Sequence, residues 1–412
     1  MNLGILVWSY LKAKPLNTAL NSLLLALGIS VIVVLILFSR QVEEKIQSNA
    51  KGIDLVVGAK GSPLQLILCT IFHIDFPTGN INLAEAEKIA RHRLVKKAIP
   101  MALGDSYQAY RIIGTNRDYP ALYNAELNEG KWFEKELDVT LGAQVAALTG
   151  FSVGDTFASA HGLSAGGHEH EEHDFVVVGI MKPTGSVLDN LILTSVESVW
   201  KVHDLAIDYI SVGDTTQKAS TLVPTVAAGD STIELTSLLL QYRSPMGAIQ
   251  LPRYVNQQSS LQAASPAFET ARLFTILGVG VDALMVLAYV LIFISAISIF
   301  IALYNSLKER RFDLAIMRTM GATRLKLVFT ILAEGISLTL VGTVAGIFLG
   351  HAVVWSMGLL IEEIHKTGIT SFVLYQEEWI ILAGSLLLGV LCACIPAWQV
   401  YRTDISKVLA GN

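Results

Sequence analysis

The stretch NSLKERRFDLAIMRTMGATRLK, residues 305–326, is a basic, helix-prone segment set between two long apolar runs. Lys308, Arg310, Arg311, Arg318, Arg324 and Lys326 stand against only two acids, Glu309 and Asp313. A short loop with this excess of Lys and Arg stays on the cytoplasmic side of a membrane. Leu307, Leu314, Met317 and Met320 or Gly321 recur at spacings of three, four and seven, which predicts a small amphipathic helix. An ordinary helix-to-helix connection takes about 2–8 residues. This one has room to be gripped from the cytoplasm.

Composition agrees. Of 412 residues, 52% are hydrophobic and 16% charged, with a mean hydropathy of +0.52. A soluble domain carries about 25% charged residues, so part of the chain belongs in lipid. A net charge of −5, with no basic patch interleaved with aromatics, excludes a nucleic-acid partner. Four runs have the roughly 20 apolar residues that a membrane crossing needs: Ala19–Phe38, Ala283–Tyr304, Leu327–Leu360 and Trp379–Ala397. Lys12 and Lys14 precede the first, and Arg402 and Lys407 follow the fourth. The loop between the third and fourth holds Glu362, Glu363, Glu377 and Glu378 against Lys366. The asymmetry puts both termini inside and residues 39–282 outside. The first run is too long for a cleaved signal core, and the small-residue site at Ser48–Ala50 lies beyond a charged stretch, so it reads as an uncleaved anchor.

The expected fold is an α-helical membrane protein with four transmembrane helices and a mixed α+β extracytoplasmic domain between helices 1 and 2. Its divisions are residues 1–38 (cytoplasmic N-terminus and helix 1), 39–276 (stalk and extracytoplasmic domain), 277–304 (helix 2), 305–326 (cytoplasmic coupling helix), 327–360 (helix 3), 361–378 (external loop) and 379–412 (helix 4 and tail). In the external domain, Gly52–Gly58 reads as a strand and Leu83–Lys97 as a helix capped by Asn82. Short strands are expected at Tyr107–Ile113, Asp155–Ala160, Phe175–Ile180 and Asn190–Thr194. Arg253–Ala267 reads as a return linker, and Ser39–Ala50 and Pro266–Ile276 as helical continuations of the first two spans. Cys69 is the single external cysteine, so this domain closes no internal disulfide.

Gly335, Gly342, Gly346 and Gly350 align small residues on one face of the third span, which lets another helix approach closely. Homodimerisation through the membrane domain is expected, with the third span or its glycine face contributing, or else the first span or the stalk. Glu334, about two turns inside, is an intramembrane acid; a hydrogen bond within the bundle is the reading preferred to a proton path. His161, His168, His170 and His173 fall in a glycine-rich segment ending in four acids. Zinc or another divalent ion suits such ligands, and a solvated hairpin tip suits them equally, so both readings stand. No nucleotide-binding P-loop and no hydrolase or zinc-protease motif occurs. A motor would have to be another chain.

Lys308-Glu309-Arg310, Ala315 through Thr323, Leu332-Ala333-Glu334-Gly335, the spaced glycines beyond, and Ile395-Pro396-Ala397-Trp398 with Tyr401-Arg402 resemble the FtsX/MacB-like family of ABC transporter membrane subunits. The likeness extends to Asn17 through Ser30 and to the order of spans; Asp313 stands where the family commonly has Glu. It implies a non-catalytic permease homodimer in the inner membrane, bound to a separate cytoplasmic ATPase. That ATPase's motion would reach the external domain through Lys308, Glu309, Arg310, Asp313, Leu314, Met317, Arg318 and Gly321. Leu314 and Met317 are expected to fill a pocket on the ATPase, and Arg310, Arg311 and Arg318 to meet its carboxylates. The alternatives are a regulatory membrane protein that recruits an envelope enzyme or lipoprotein, and a metal transporter, which one buried acid supports poorly.

Overall fold

Among the described residues, four helices are long and apolar enough to cross a membrane: Pro15–Asn49, Pro266–Glu309, Arg324–Leu360 and Gln376–Arg402, here the first to fourth spans. The computed structural model describes residues 9, 10, 12, 15–159, 174–203, 221–223, 233–361 and 369–402. The chain divides into two compact units, residues 1–42 with 277–412, and residues 43–276. The first two spans run past the apolar runs that define them: the helix that begins at Pro15 ends at Asn49, and the one that ends at Glu309 begins at Pro266.

In the membrane unit, one apolar core draws on all four spans. It contains Leu25, Ile29 and Val33 from the first, Ile299 and Leu303 from the second, Leu327, Ile331 and Leu338 from the third, and Ala393, Ala397 and Val400 from the fourth. The second span contributes least; Val286, Val290 and Phe293 along it are exposed. Helices are the only open-ended elements that satisfy every backbone donor and acceptor in hydrocarbon, which is why uninterrupted apolar runs of this length fold this way.

The second unit is built on strands β1 (Leu55–Ala59), β2 (Ile81–Asn82), β3 (Val95–Tyr107), β4 (Tyr110–Thr115), β5 (Leu127–Gly130), β6 (Asp138–Leu141), β7 (Thr156–Phe157), β8 (Phe175–Met181), β9 (Leu191–Ser195), β10 (Glu234–Leu235), β11 (Ser237–Tyr242) and β12 (Leu261–Ala264). Nine of them follow the order β12-β1-β11-β3-β4-β9-β6-β8-β5, with β7 on β8 and a separate β10-β2 pair. Among the described residues, only β4·β9 and β6·β8 are parallel. The thirteen-residue β3 joins the two halves: its first part pairs with β11 and its last with β4. Period-two alternation then makes cores on both faces. Leu55, Val57, Leu238 and Leu240 enter one; Val56 and Leu239 enter the other with Ile99, Met101 and Tyr119. A third core under the far half holds Ile112, Val139, Phe157, Phe175 and Ile192.

Three local expectations are corrected. The helix opens at Leu83 with Asn82 Oδ1 accepting from Ala84 N at 2.8 Å, but it stops at Ala90. Residues 95–97, expected to continue it, begin β3, where pairing with β11 outweighs helix propensity. Tyr107–Ile113 is not one strand but the β3–β4 hairpin, turning at Gln108 with φ of 52°. The supposed return linker is the helix Met246–Gln258 followed by β12, which pairs with β1 and completes the sheet edge.

Beside this sheet, His73 sits at φ 55° with Nε2 2.9 Å from the Tyr119 hydroxyl and Nδ1 buried without a partner. Burial, and then the Arg111 guanidinium, push its pKa from 6.5 down to about 3. Between those values the unfolded chain binds the extra proton, so stability is complete above the unfolded pKa and declines with acidification by about 1.4 kcal/mol per pH unit. In denaturant unfolding of the full chain, the extracytoplasmic unit should lose stability from about pH 6.5 towards pH 4. His73→Asn, which tolerates a positive φ, should flatten that slope by one proton; an unchanged slope would assign the acid sensitivity to other groups.

Candidate functional site

Residues 311–319 form the expected short helix, between the ends of the second and third spans. Its end follows a recognisable design. Gly321 adopts φ of 97°, its N–H donates to Arg318 O at 3.0 Å, and Ala322 N donates to Met317 O at 3.0 Å. This is the Schellman pattern, in which a left-handed glycine closes the last turn. Thr323 then opens the third span, its Oγ1 accepting from Lys326 N at 3.3 Å. Two sharp signals two residues apart fix the helix against the spans on either side.

The faces of this helix differ from the expected ones. Ala315 is buried, and Leu314, Met317 and Arg318 are half-buried, turned towards Leu307, Leu327 and Val400 of the bundle. The Arg318 Nε is enclosed there without a hydrogen-bond partner. Leu314 and Met317 are therefore packed on their own chain. The apolar residues left outside are Phe312, Ile316 and Met320, at 56%, 39% and 82% exposure, spaced four apart on one face. Arg311 and Asp313 are exposed beside them, as are Lys308, which lies 4.9 Å over the Tyr304 ring, and Glu309. Periodicity located an amphipathic helix but could not say which of its two apolar edges the bundle takes.

Arg310 also turns inward. Its guanidinium carbon lies 3.8 Å from the centre of the Tyr10 ring, and Nη1 is 3.5 Å from Glu334 Oε1. Both partners of this ion pair are nearly enclosed, at 14% and 11% side-chain exposure. Arg310 is thus committed to the intramembrane acid and not free for carboxylates of another protein. Glu334 faces the bundle, as read from the sequence. Tyr10 was not singled out; an aromatic residue nine positions before the first apolar run gives no periodic signal.

The glycine face of the third span is filled from within the chain, which corrects the expectation of a second copy there. A Cβ on Gly346 would lie 2.8 Å from Ala26 O and from Ile29 Cβ, and one on Gly350 2.7 Å from Val33 Cβ. Gly342 lies against Leu25 and Ser22 in the same way. All of these neighbours belong to the first span. Gly335, a heptad before Gly342, meets a different span: its added Cβ would lie 2.8 Å from Gly389 O and 2.9 Å from Ala393 Cβ, both on the fourth.

At the opposite end of the unit, polar contacts close the bundle. Gln41 and Thr370 exchange two hydrogen bonds, side-chain amide to carbonyl and N–H to Oε1, each 2.8 Å. Arg40 pairs with Glu377. The His351 ring contacts Ser371 O at 2.5 Å through Nδ1 and Glu378 Oε2 at 3.0 Å through Nε2. The segment before the fourth span is thereby tied to the first and third. His161, His168, His170 and His173 lie outside the described residues; among the described ones, no three His, Cys, Asp or Glu side chains are grouped to hold a metal.

With this geometry in view, two family models match the chain: the MacB-like periplasmic core domain over residues 18–235 and the FtsX-like permease C-terminal domain over residues 285–405. The chain belongs to this family of ABC transporter membrane subunits, inner-membrane proteins with an extracytoplasmic domain. No curated protein matches it in sequence. Among solved structures, it is similar to the periplasmic region of MacB from Actinobacillus actinomycetemcomitans, at 12% identity and TM-score 0.34, covering 56% of this chain and 97% of that one. It is also similar to the extracellular domain of the noncanonic ABC-type transporter YknZ from Gram-positive bacteria, at 11% identity and TM-score 0.30, covering 52% and 99%.

Two substitutions test this packing. Gly346→Leu forces the first and third spans apart and should cost about 1–3 kcal/mol, the range for an overfilled interface, read as a lower thermal midpoint of the purified protein. Glu334→Ala leaves Arg310 enclosed and unpaired, and should cost about 3–5 kcal/mol. Glu334→Gln should cost less. Equal midpoints for wild type and Gly346→Leu would mean that the two helices do not touch along this face.

Proposed function

We propose that this ABC transporter subunit transmits motion: a separate cytoplasmic ATPase grips the helix Arg311–Thr319, and the first and second spans carry the displacement to the extracytoplasmic domain. The observation that carries the reading is the continuity of those two spans. Each is one unbroken helix, of 35 and 44 residues, equivalent to about 50 Å and 65 Å at 1.5 Å per residue. A kink in a helix needs a proline, a glycine pair or an inserted group. Neither helix has an interior proline, and the second stays one helix through its glycine pair, Gly278 and Gly280, so each can act as a rod.

The ATPase contact falls on the outward edge, with Phe312, Ile316 and Met320 as apolar knobs and Arg311, Lys308 and Asp313 as the charged rim. Leu314, Met317 and Arg318 serve from beneath, joining the gripped helix to the spans, and Arg310 ties its start to Glu334. Gly321 closes its end. The bundle core of Leu25, Ile29, Ile299, Leu303 and Leu338 is filled with side chains, which favours a force-transmitting subunit over one that threads cargo between its own helices. Both termini lie in the cytoplasm on the strength of the Lys and Arg bias, and the working unit is a homodimer with two ATPase copies. The second span, with its exposed Val286, Val290 and Phe293, is better placed than the third for contact with the second copy or with lipid. Export or envelope trafficking is the process served, through a periplasmic protein or lipoprotein on the outer side.

Phe312→Asp with Ile316→Asp should abolish co-purification with the partner ATPase, while the protein remains folded and membrane-inserted. Leu314→Asp should instead lower the yield of folded protein, because it places a charge in the socket under the helix. The purified chain alone should hydrolyse no ATP. ATPase binding that survives the double variant but is lost with a folded Leu314→Asp protein would return the contact to the inward edge.

A further inference from the structure

A cavity of about 290 Å³ opens at the end of the membrane unit where the second span meets the basic loop. Its inner wall is polar although it lies within the bundle: Asn21, Ser306 and Glu334 are all buried, with Leu303 and Leu338 behind them. Its rim carries the exposed Asn17, Asn305, Lys308 and Glu309. Arg310, held under Tyr10, forms the wall between rim and floor. The charged lining balances, with Lys308 and Arg310 against Glu309 and Glu334. Arg310 at 3.5 Å and the Ser306 hydroxyl are partners of the Glu334 carboxylate, and a carboxylate with about four acceptor sites keeps capacity for another donor.

The surroundings of the mouth are apolar. Leu20, at 54% exposure, lies three residues after Asn17 and beside Asn21; Leu16 is 79% exposed; Ile301, at 50%, lies one helical turn before Asn305. Residues three and four apart share a helix face, so apolar strips from the first and second spans lead to a polar, charge-balanced chamber. The level is that of headgroups, because Lys and Arg clusters mark the cytoplasmic boundary of a span.

We infer that this cavity holds the headgroup of a zwitterionic phospholipid with a primary ammonium, phosphoethanolamine on a diacylglycerol, from the inner leaflet. The phosphate lies at the rim with Lys308 and the amides of Asn17 and Asn305. The ammonium points inward to Glu334 and the side-chain oxygens of Asn21 and Ser306, and the acyl chains lie along Leu16, Leu20 and Ile301. Headgroup selectivity follows from the donors. An ammonium offers three N–H groups to these acceptors, whereas a trimethylammonium offers none, and an anionic headgroup without an amine leaves the acids of the lining unbalanced. The inference shares Lys308 with the proposed ATPase contact but is read without any ATPase present.

The test is native mass spectrometry on the full chain, purified in detergent and exchanged into equal mixtures of phosphatidylethanolamine, phosphatidylcholine and phosphatidylglycerol with identical acyl chains. One phosphatidylethanolamine per chain should be retained over either competitor by about tenfold, the worth of one hydrogen bond to a charged group. Asn17→Trp, a change at an exposed rim position that leaves the core intact, should erase the preference, and Lys308→Ala should weaken it. Glu334→Gln should erase it as well where the variant folds. Equal retention of the three lipids, preference for phosphatidylglycerol, or an undiminished preference in Asn17→Trp would overturn the assignment. So would displacement of the lipid by soluble O-phosphoethanolamine, which would make the cavity a site for a free solute.

Discussion

The membrane unit depends on how closely the backbone of the third span can approach its neighbours. In lipid, helices gain nothing from hiding apolar side chains from one another, so association rests on close packing and on polar contacts. Gly342, Gly346 and Gly350 admit the first span, and Gly335, about two turns earlier, admits Gly389 and Ala393 of the fourth. Seven residues bring an α-helix back to within about 20° of the same direction, so the two sets are separated mainly by height, about 10 Å along the axis. One helix thereby serves as the hub for two others, and the second span, which meets no such glycine row, stays largely exposed.

Because the hub is fixed, its ends become precise places. Glu334 is held one residue before Gly335, facing inward, and the arginine that ends the second span reaches it. The short helix that follows is then pinned at both ends: by Arg310 at its start, and by the Gly321 turn with the Thr323 cap at its finish. Its inner edge has to be the one that meets Leu307, Leu327 and Val400. Its outer edge is what remains.

Much of this was legible in the sequence, and the failures have physical causes. Uninterrupted apolar length reports the four spans directly, and the Lys and Arg excess with the spacing of Leu307, Leu314 and Met317 reports the short helix. Leu314 and Met317 were assigned outward, since a nine-residue helix with apolar residues on two edges has no periodicity that names the buried one; tertiary contact decides. The glycine row was read correctly as a close-approach face, but small residues do not name the partner, and a covalently attached helix has a much higher effective concentration than a second copy. In the sheet, Val95-Lys96-Lys97 looked like the end of a helix because lysines suit a last turn, whereas pairing with β11 made it the start of the longest strand. The stretch Leu261–Ala264 is too short and too weakly patterned to announce a strand; only its partner β1 defines it.

The same logic explains why the polar contacts of the membrane unit gather at its two ends. Midway along the spans, glycine and apolar side chains suffice, and a charge there would cost about 2.5–3.5 kcal/mol or more. Towards the ends, water and headgroups lower that cost, and charged or amide side chains fix registration, which apolar packing leaves loosely defined. Arg310 with Glu334 does so at one end; Gln41 with Thr370, Arg40 with Glu377, and His351 with Glu378 do so at the other. A helix bundle latched at both ends and filled between them resists shear. Under the function proposed above, a displacement applied to the helix Arg311–Thr319 would move the first three spans together instead of being absorbed by slippage between them.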